Sequence, residues 1–360
     1  MRRLPILCAL IVGTALLLRC LRPGAPTSDP NTIRVMTYNI ENLFDLVNDG
    51  GEYPEYVPGK QNWNSATHAA KLRNTASVIA AANADIVVIC EIENANALKQ
   101  LCEALAQHKV NYPAAVIGNR PNPTNTCPAI LSKYPVVDTG FLPGPLLDKG
   151  YSRNTLEADI AIGADTLKLF AVHWPSKANH DSTRFEAART LAARIDLQPP
   201  QTDYLIAGDF NTNYDETGAL SGLGSPLGHQ LATLQSSPGE TVDFVTQDEV
   251  LGTPTARLHY DAWLELPEYE RGSYVYQQKK STLDHFLLPP SLFDAKGLSY
   301  RDNSFGVFTW GGKLLRNGVP YRWEMTYRNK KKSHRGAGYS DHLPLLLTVV
   351  RGPFQAQNPL

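Results

Sequence analysis

Two short stretches, Ile86-Val87-Val88-Ile89-Cys90 and Tyr204-Leu205-Ile206-Ala207, are apolar at every position and stop abruptly at Glu91 and at Gly208-Asp209. Runs this short, without alternation, suit a strand covered on both faces. Such strands need a layer on either side, and the rest of the chain offers the material. Residues 64–82 read as a helix with Ala66, Ala69, Ala70, Leu72, Val78 and Ile79 on its apolar stripe. Residues 95–106 and 184–195 read as two more helices. Strands are predicted at 32–38, where apolar and polar residues alternate, and at 85–90, 166–172 and 203–207, with late strands at 282–288 and 343–350. Strands and helices alternate early and mix later, which predicts a layered α/β domain. At 360 residues and 42% hydrophobic content the chain can bury a large core. There is no internal repeat, and residues 218–239 read as a surface excursion within one domain.

The N-terminus differs from everything after it. Arg2 and Arg3 precede an apolar run from Ile6 to Leu18, which is followed by Arg19, Cys20, Arg22 and the loop-like stretch from Pro23 to Pro30. A charged start and a short apolar core mark an export signal. The run is short for a membrane span, yet a signal-anchor stays open. Cys20 invites a lipid-bearing reading, against which Leu18-Arg19 stands where small residues are expected. Otherwise Cys20 is incidental to a discarded or anchoring segment. Residues 1–28 are therefore expected to be an export signal or membrane anchor with its linker, 29–352 the folded domain and 353–360 a tail. An exported protein follows: periplasmic, secreted or membrane-anchored. Past that segment only Cys90, Cys102 and Cys127 remain, an odd number without short spacing, so neither a disulfide framework nor a zinc site is indicated. Cys90 reads as an inert small hydrophobe. The net charge of -1 supplies no global basic field. That argues against a protein that coats nucleic acid and leaves room for a local positive cleft.

Each apolar run ends in a knot of chemically capable side chains: Asn39-Ile40-Glu41-Asn42, Glu91-Ile92-Glu93-Asn94, His173-Trp174-Pro175-Ser176-Lys177, Asp209-Phe210-Asn211, Asp284-His285 and Ser340-Asp341-His342. In α/β folds ligands sit beyond the carboxyl ends of strands, so these knots are placed to converge. Taken singly, Asn211 is more readily a turn former and His342 a histidine satisfied by local backbone. Glu91 is harder to dismiss, because a carboxylate after a buried run needs a partner. Together, Glu91, Asn39 and Asp341 offer oxygens suited to a hard cation such as Mg2+ or Mn2+. Asp209 and Asn211 could orient a water and bond a phosphoryl oxygen. His342 could take a proton with Asp284 fixing its tautomer, and His173 could donate a hydrogen bond or proton.

The segments Thr37-Tyr38-Asn39-Ile40-Glu41-Asn42-Leu43-Phe44-Asp45, Ile89-Cys90-Glu91-Ile92-Glu93-Asn94, Gly208-Asp209-Phe210-Asn211, Leu283-Asp284-His285 and Ser340-Asp341-His342-Leu343-Pro344 resemble, in order, those of the endonuclease/exonuclease/phosphatase superfamily. The resemblance implies a four-layer α-β-β-α sandwich of two packed mixed sheets, with the catalytic domain over 29–352. It also implies a metal-dependent phosphoester hydrolase. By position Glu91 resembles the main metal ligand, with Asn39 beside it, Glu41 further out and Asp341 near the metal. Asp209 and Asn211 match the water-orienting and phosphate-binding pair, Asp284 and His342 the carboxylate–histidine couple, and His173 the second histidine of pancreatic-type deoxyribonucleases. Arg153 resembles a phosphate-contacting arginine, with an edge-strand arginine as the alternative. The family has glutamine where Cys90 stands, so a polar contact to the neighbouring strand is expected to be missing.

Fold and core motif leave the substrate open. The Asn-x-Glu-Asn-Leu-Phe-Asp opening with His-Trp-Pro-Ser looks most like exported bacterial nucleases, which implies an endonuclease acting on nucleic acid. A hydrolase of small-molecule or lipid phosphoesters on the same fold is the alternative, and a non-enzymatic binder the third reading. No obligate protein partner is indicated, and a monomer is expected. Lys330, Lys331, Lys332, His334 and Arg335 read either as a phosphate grip or as a solvated loop. Tyr321, Trp323 and Tyr327 read either as base-stacking rings or as sheet packing.

Overall fold

The strand expected after residue 85 runs from Ile86 to Ile92 and is buried everywhere except Glu91. This is a computed structural model, which describes residues 31–119, 126–148, 150–216, 244–253, 258–328 and 331–357, with Leu18–Arg19 as an isolated backbone pair. The remainder of the expected export segment, Cys20, the 218–239 excursion and Lys330 lie outside the described residues.

In chain order the principal elements are β1 (Thr32–Leu43), α1 (Ser65–Ala82), β2 (Ile86–Ile92), α2 (Ala95–Gln107), β3 (Ala114–Ile117), β4 (Cys127–Ser132), β5 (Val136–Leu142), β6 (Thr155–Ile162), β7 (Asp165–His173), α3 (Asp181–Asp196), β8 (Tyr204–Asp209), β9 (Tyr260–Asp261), β10 (Asp284–Leu288), β11 (Leu298–Tyr300) and β12 (Leu345–Arg351). Local chemistry sets the helix ends. The Asn64 side chain accepts from the Ala66 and Thr67 amides to start α1, and Asn83 stops it in the left-handed region at φ 48°. Asn94 caps α2 through the Ala97 amide. The third helix starts earlier than expected, at Asp181, whose carboxylate pairs with Arg184 one turn on.

The strands form two mixed sheets. In the first the order is β3-β4-β2-β1-β12-β11, with Leu18–Arg19 outside β3 and Gly306–Val307 on β12. In the second it is β9-β10-β8-β7-β6-β5. Only β1–β2 and β7–β8 are parallel among these principal pairs. Ile33, Val35, Ile86 and Val88 from one sheet meet Leu156, Leu169, Leu205 and Phe286 from the other in the central core. Met36, Tyr38 and Ile89 on the outer face of the first sheet pack on Ile79, Leu98 and Leu101 of α1 and α2. Phe170, Val172 and Ile206 on the outer face of the second pack on Ala188, Leu191 and Ile195 of α3. The result is a four-layer α-β-β-α sandwich. Among the described residues no helix is long and apolar enough to cross a membrane.

Six principal strands, β3, β4, β5, β6, β9 and β11, have no counterpart among those read from sequence, and β6 is the longest of them. Its apolar side chains alternate, with Leu156, Ala158, Ile160 and Ile162 buried, but Glu157 and Asp159 interrupt them. Tertiary structure gives those carboxylates partners: Lys168 Nζ lies 2.7 Å from Glu157 and 2.6 Å from Asp159, and Arg194 bonds Glu157 from α3.

Candidate active site

The backbone at the strand ends aims the polar side chains. The β1–β2 ladder is regular down to Asn39 opposite Cys90 and then loses register before Leu43 opposite Ile92. Inside that bulge Glu41, Asn42 and Glu91 have φ of 52°, 61° and 73°. A bulge turns side chains out of the sheet's alternation, and here it brings carboxylates to the sheet edge. In the second sheet His173 sits opposite Asp209, and Asp209 opposite Asp284, so three adjacent strands present these residues in one row. Gly208 makes this row possible: at φ 141°, a Cβ there would lie 2.0 Å from the Val172 carbonyl oxygen.

Asn39 joins the two sheets. Its amide nitrogen donates to Glu91 Oε1 at 3.1 Å and to Asp209 Oδ2 at 3.0 Å, and its oxygen accepts from the Glu41 amide at 3.0 Å. Two carboxylates on one side and an N–H on the other fix the amide's orientation, so Asn39 positions Glu91 and Asp209 while its oxygen, with one bond accepted, keeps a second lone pair. Glu91 also departs from the buried carboxylate expected of it, since its side chain is 18% exposed.

His342 Nδ1 lies 2.7 Å from Asp284 Oδ2, which also accepts from Ser273 Oγ at 2.6 Å. His342 Nε2 faces Asp209 Oδ2 at 4.0 Å. Burial opposes charge on the ring, but Asp284, Asp209 and Asp341 outweigh it and hold His342 well above the usual histidine range. The local-backbone reading of His342 does not describe its ring, which is held by a carboxylate. Asp209 is pushed up to about 7, by burial first and by Asp284 next, against the His342 charge. His173 is the opposite case: burial, then Arg153 and His342, hold it well below the usual range. Its Nε2 faces Asp209 at 3.6 Å and Glu91 at 3.9 Å, while its buried Nδ1 has no hydrogen-bond partner among the described residues. A neutral ring between carboxylates carries its proton on Nε2, so His173 is a hydrogen-bond donor rather than a ready proton source.

Asn211, at φ 52°, donates its backbone N–H to Asp209 Oδ1 at 2.8 Å and one amide N–H to the Trp174 carbonyl at 3.0 Å. Arg153 lies outside any strand, donating to Thr126 Oγ1 at 3.3 Å and bonding the Tyr53 hydroxyl, so the edge-strand alternative is set aside. The buried Cys90 thiol donates to the Val172 carbonyl at 3.3 Å, so a polar contact is made to β7 of the facing sheet.

Four residues near the site carried no motif. Arg322 donates to Glu41 Oε1 at 2.5 Å and Asp341 Oδ2 at 3.3 Å, while the Trp323 amide donates to Glu41 Oε2 at 2.7 Å. Lys71, fully buried on α1, donates to the Ile40 and Tyr339 carbonyls at 2.6 and 3.0 Å. Burial lowers its pKa to about 8 against the pull of Glu41, Asp341 and Glu91. It thereby ties together the two segments that carry Glu41 and Asp341, and Ser340 Oγ adds a bond to the Asn39 carbonyl at 2.7 Å. Ser273 and Tyr274 stand against Asp284 and His342. A lysine in a helical stripe and an arginine in a loop look like surface residues in sequence, so only their contacts reveal them.

The donor set fits a hard divalent cation. Asp209, Asp284 and His342 bring one ligating atom each within 4.8 Å of one another. Asp284 and His342 already satisfy each other, however, and Glu41 is taken by Arg322 and the Trp323 amide. Glu91, with Asn39 on Oε1, and Asp341, with Arg322 on Oδ2, are the less fully engaged carboxylates, and burial followed by Glu91 among the neighbouring charges raises Asp341, as expected where a cation is to balance them. Of the basic run, His334 is internal: it accepts from Trp323 Nε1 at 2.8 Å and faces the Glu55 carbonyl at 2.9 Å. The phosphate-grip reading therefore loses His334. Trp323 is buried, whereas Tyr327 is 72% exposed, so the three aromatics divide between the two readings.

A model of the endonuclease/exonuclease/phosphatase family matches residues 36–342. Tyrosyl-DNA phosphodiesterase 2 of Mus musculus is 22% identical over 200 residues, 56% of this chain and 46% of that protein. The Rattus norvegicus protein of the same name is 24% identical over 200 residues, 56% of this chain and 47% of that protein. The chain thus spans about half the length of the curated relatives it matches. Among solved structures, a humanized D. rerio TDP2 superposes with a TM-score of 0.53 at 16% identity, over 88% of this chain and 98% of that one. The endonuclease/exonuclease/phosphatase from Bacteroides vulgatus gives 0.54 at 14% identity, over 89% and 99%. Those structures speak to the fold, and the family match extends from β1 to His342, the last residue of the site. This chain belongs to the endonuclease/exonuclease/phosphatase family.

Proposed function

We propose that the protein hydrolyses phosphodiesters with the help of a divalent cation, Mg2+ or Mn2+, and that it acts on nucleic acid as an exported endonuclease. One observation carries the chemistry: the His342–Asp284 couple, 2.7 Å apart, opens toward Asp209 in the cleft that also holds Glu91. Asp284 keeps the imidazole oriented with Nε2 toward the substrate. Asp209, held by Asn39 and the Asn211 amide, orients the attacking water. In its neutral form His342 takes a proton at Nε2 from that water as the water oxygen bonds to phosphorus and the ester P–O bond opposite it breaks, the leaving oxygen departing as an alcohol on taking a proton from solvent. His173 donates from Nε2, and Asn211 and Arg153 face the phosphoryl oxygens. A cation on Glu91 and Asp341 would supply the positive charge that offsets the negative charge gathering on those oxygens.

Export is motivated by Arg2, Arg3 and the apolar run to Leu18. Nucleic acid is motivated by the resemblance to exported nucleases and by the tyrosyl-DNA phosphodiesterase 2 relatives. The test is a parallel panel of double-stranded DNA, single-stranded DNA, RNA, a tyrosyl-DNA conjugate, phosphoinositide and sphingomyelin under one magnesium concentration. Nucleic-acid cleavage abolished by a chelator is the expected result. Turnover that survives the chelator rules out the metal-dependent chemistry, and cleavage confined to the lipids replaces the substrate.

A further inference from the structure

The whole-chain charge of -1 conceals an uneven distribution. Residues 274–281 contain Lys279 and Lys280 and no acid, while residues 325–335 contain Arg328, the lysines at 330–332 and Arg335 and no acid. Both segments form hairpins. Tyr274–Tyr276 pairs with Lys279–Ser281 across Gln277 and Gln278, both with positive φ, and Met325–Arg328 pairs with Lys331–His334. Both are rooted in the site. At the first, Ser273 bonds Asp284, and the Tyr274 ring lies 4.8 Å from that of His342. At the second, Arg322 and the Trp323 amide bond Glu41.

Each hairpin also carries a ring directed to water: Tyr276 is 61% exposed and Tyr327 72%. Some of the charge is engaged locally. Lys332 pairs with Glu55 at 2.9 Å, Arg335 with Glu324 at 3.4 Å, and Lys280 bonds the Tyr269 carbonyl at 2.8 Å. Lys279 and Lys331 are exposed and make no ion pair among the described residues. Exposed rings beside uncompensated lysines are the combination that holds a flexible polyanion made of planar units. Bases stack on the rings and phosphates meet the ammonium groups. A duplex keeps its bases stacked on one another and offers the rings nothing, and a lipid headgroup brings phosphate without a planar base.

We infer that the two hairpins form a rim that grips a single-stranded nucleic-acid segment, stacking unpaired bases on Tyr276 and Tyr327 and holding phosphates with Lys279 and Lys331. The inference rests on the proposed phosphodiester hydrolysis, for which the rim would present the strand.

The test is anisotropy of a labelled oligothymidylate, and of a duplex of equal length, titrated with the full chain in EDTA so that binding is read without turnover. The single strand should bind at least about tenfold tighter than the duplex. The double substitution Tyr276→Ala/Tyr327→Ala should weaken single-strand binding by about tenfold or more while thermal unfolding is unchanged. Lys279→Gln/Lys331→Gln should flatten the slope of log affinity against log salt by about 1.4, roughly 0.7 for each phosphate no longer neutralised. Unchanged single-strand affinity in the tyrosine variant overturns the inference. So does a preference for the duplex, or binding of phosphatidylserine vesicles in place of the oligomer. Turnover of bis(p-nitrophenyl) phosphate by the unaltered chain with magnesium tests the hydrolase reading separately. Absent turnover with intact oligomer binding removes the hydrolase and leaves the rim; the reverse result removes the rim alone.

Discussion

Asp284 shows how much of a residue's chemistry depends on its surroundings. One of its carboxylate oxygens serves both His342 and Ser273, and the other is buried with no hydrogen-bond partner among the described residues. Asp284→Asn keeps the shape but places an amide against Nδ1 and removes the charge that favours a protonated ring. Turnover of a generic diester is expected to fall by about 10²- to 10⁴-fold with cooperative unfolding retained. A residual rate within about threefold of the unaltered protein would remove the couple from the mechanism. His342→Ala and Glu91→Ala should each reduce kcat by orders of magnitude, and near-normal kcat in either would show that the role assigned to that residue is wrong. Cys90 teaches the converse lesson. Its thiol reaches the Val172 carbonyl, so a residue dismissed as a departure makes a cross-sheet bond.

At the scale of elements, the row formed by His173, Asp209 and Asp284 depends on how closely β7 and β8 approach. Gly208→Ala would drive a methyl group to 2.0 Å from the Val172 oxygen at a φ that L side chains avoid. A loss of about 3 kcal/mol or more is expected, read as a lower urea midpoint; an unchanged midpoint would mean that the strands separate at little cost. On β6 and β7, Lys168 lies with its side chain 9% exposed between Glu157 and Asp159. Lys168→Met strands those carboxylates with Arg194 as their remaining partner and should cost about 3 kcal/mol. Replacing Glu157 with leucine in the same protein should recover part of that loss, because only Asp159, 24% exposed and near Arg194, then keeps its charge. A double variant no more stable than Lys168→Met would contradict this account.

For the whole molecule, the two sheets are also joined away from the site. The Asp203 carboxylate, next to β8 of one sheet, accepts from the Leu298 amide on β11 of the other at 2.8 Å. Burial, then the neighbouring Asp294, pushes Asp203 up to about 7. Between the unfolded carboxylate pKa near about 4 and that value, the folded protein holds a proton that the unfolded chain has lost. This contribution is complete at pH below about 4 and fades as pH rises through about 7. Asp203→Asn should therefore raise the Tm at about pH 8 while changing it little at about pH 4. The gain should be of the order of 1 kcal/mol once solvent screening of this partly exposed group is allowed for. Equal changes at both pH values would contradict this. The proposed export is tested on the same scale: the N-terminal sequence of protein recovered outside the cytoplasm should begin after the apolar run, and cytoplasmic retention with Met1 intact would overturn it.

Much of the fold and most of the site are legible in the chain because both rest on local rules. Short unbroken apolar runs specify β2 and β8, asparagines cap α1 and α2, and Glu91, Asp209 and Asp284 sit at strand ends where a ligand cleft forms. The charged interruptions of β6 hide a strand whose carboxylates are compensated only across the sheet. Lys71, Arg322 and Ser273 escape notice for a similar reason: their partners are distant in the chain, and a lysine or serine carries no sign of whom it will meet. The order of amino acids thus dictates which chemical groups are available and the succession in which strands deliver them. Their protonation states and directions come only with the packed fold. Neighbouring carboxylates raise His342 against the pull of burial, burial with Arg153 and His342 lowers His173, and contacts on both sides turn the Asn39 amide nitrogen toward Glu91 and Asp209. Those energies come from desolvation and from charges a few ångströms away, and neither exists until the two sheets have packed.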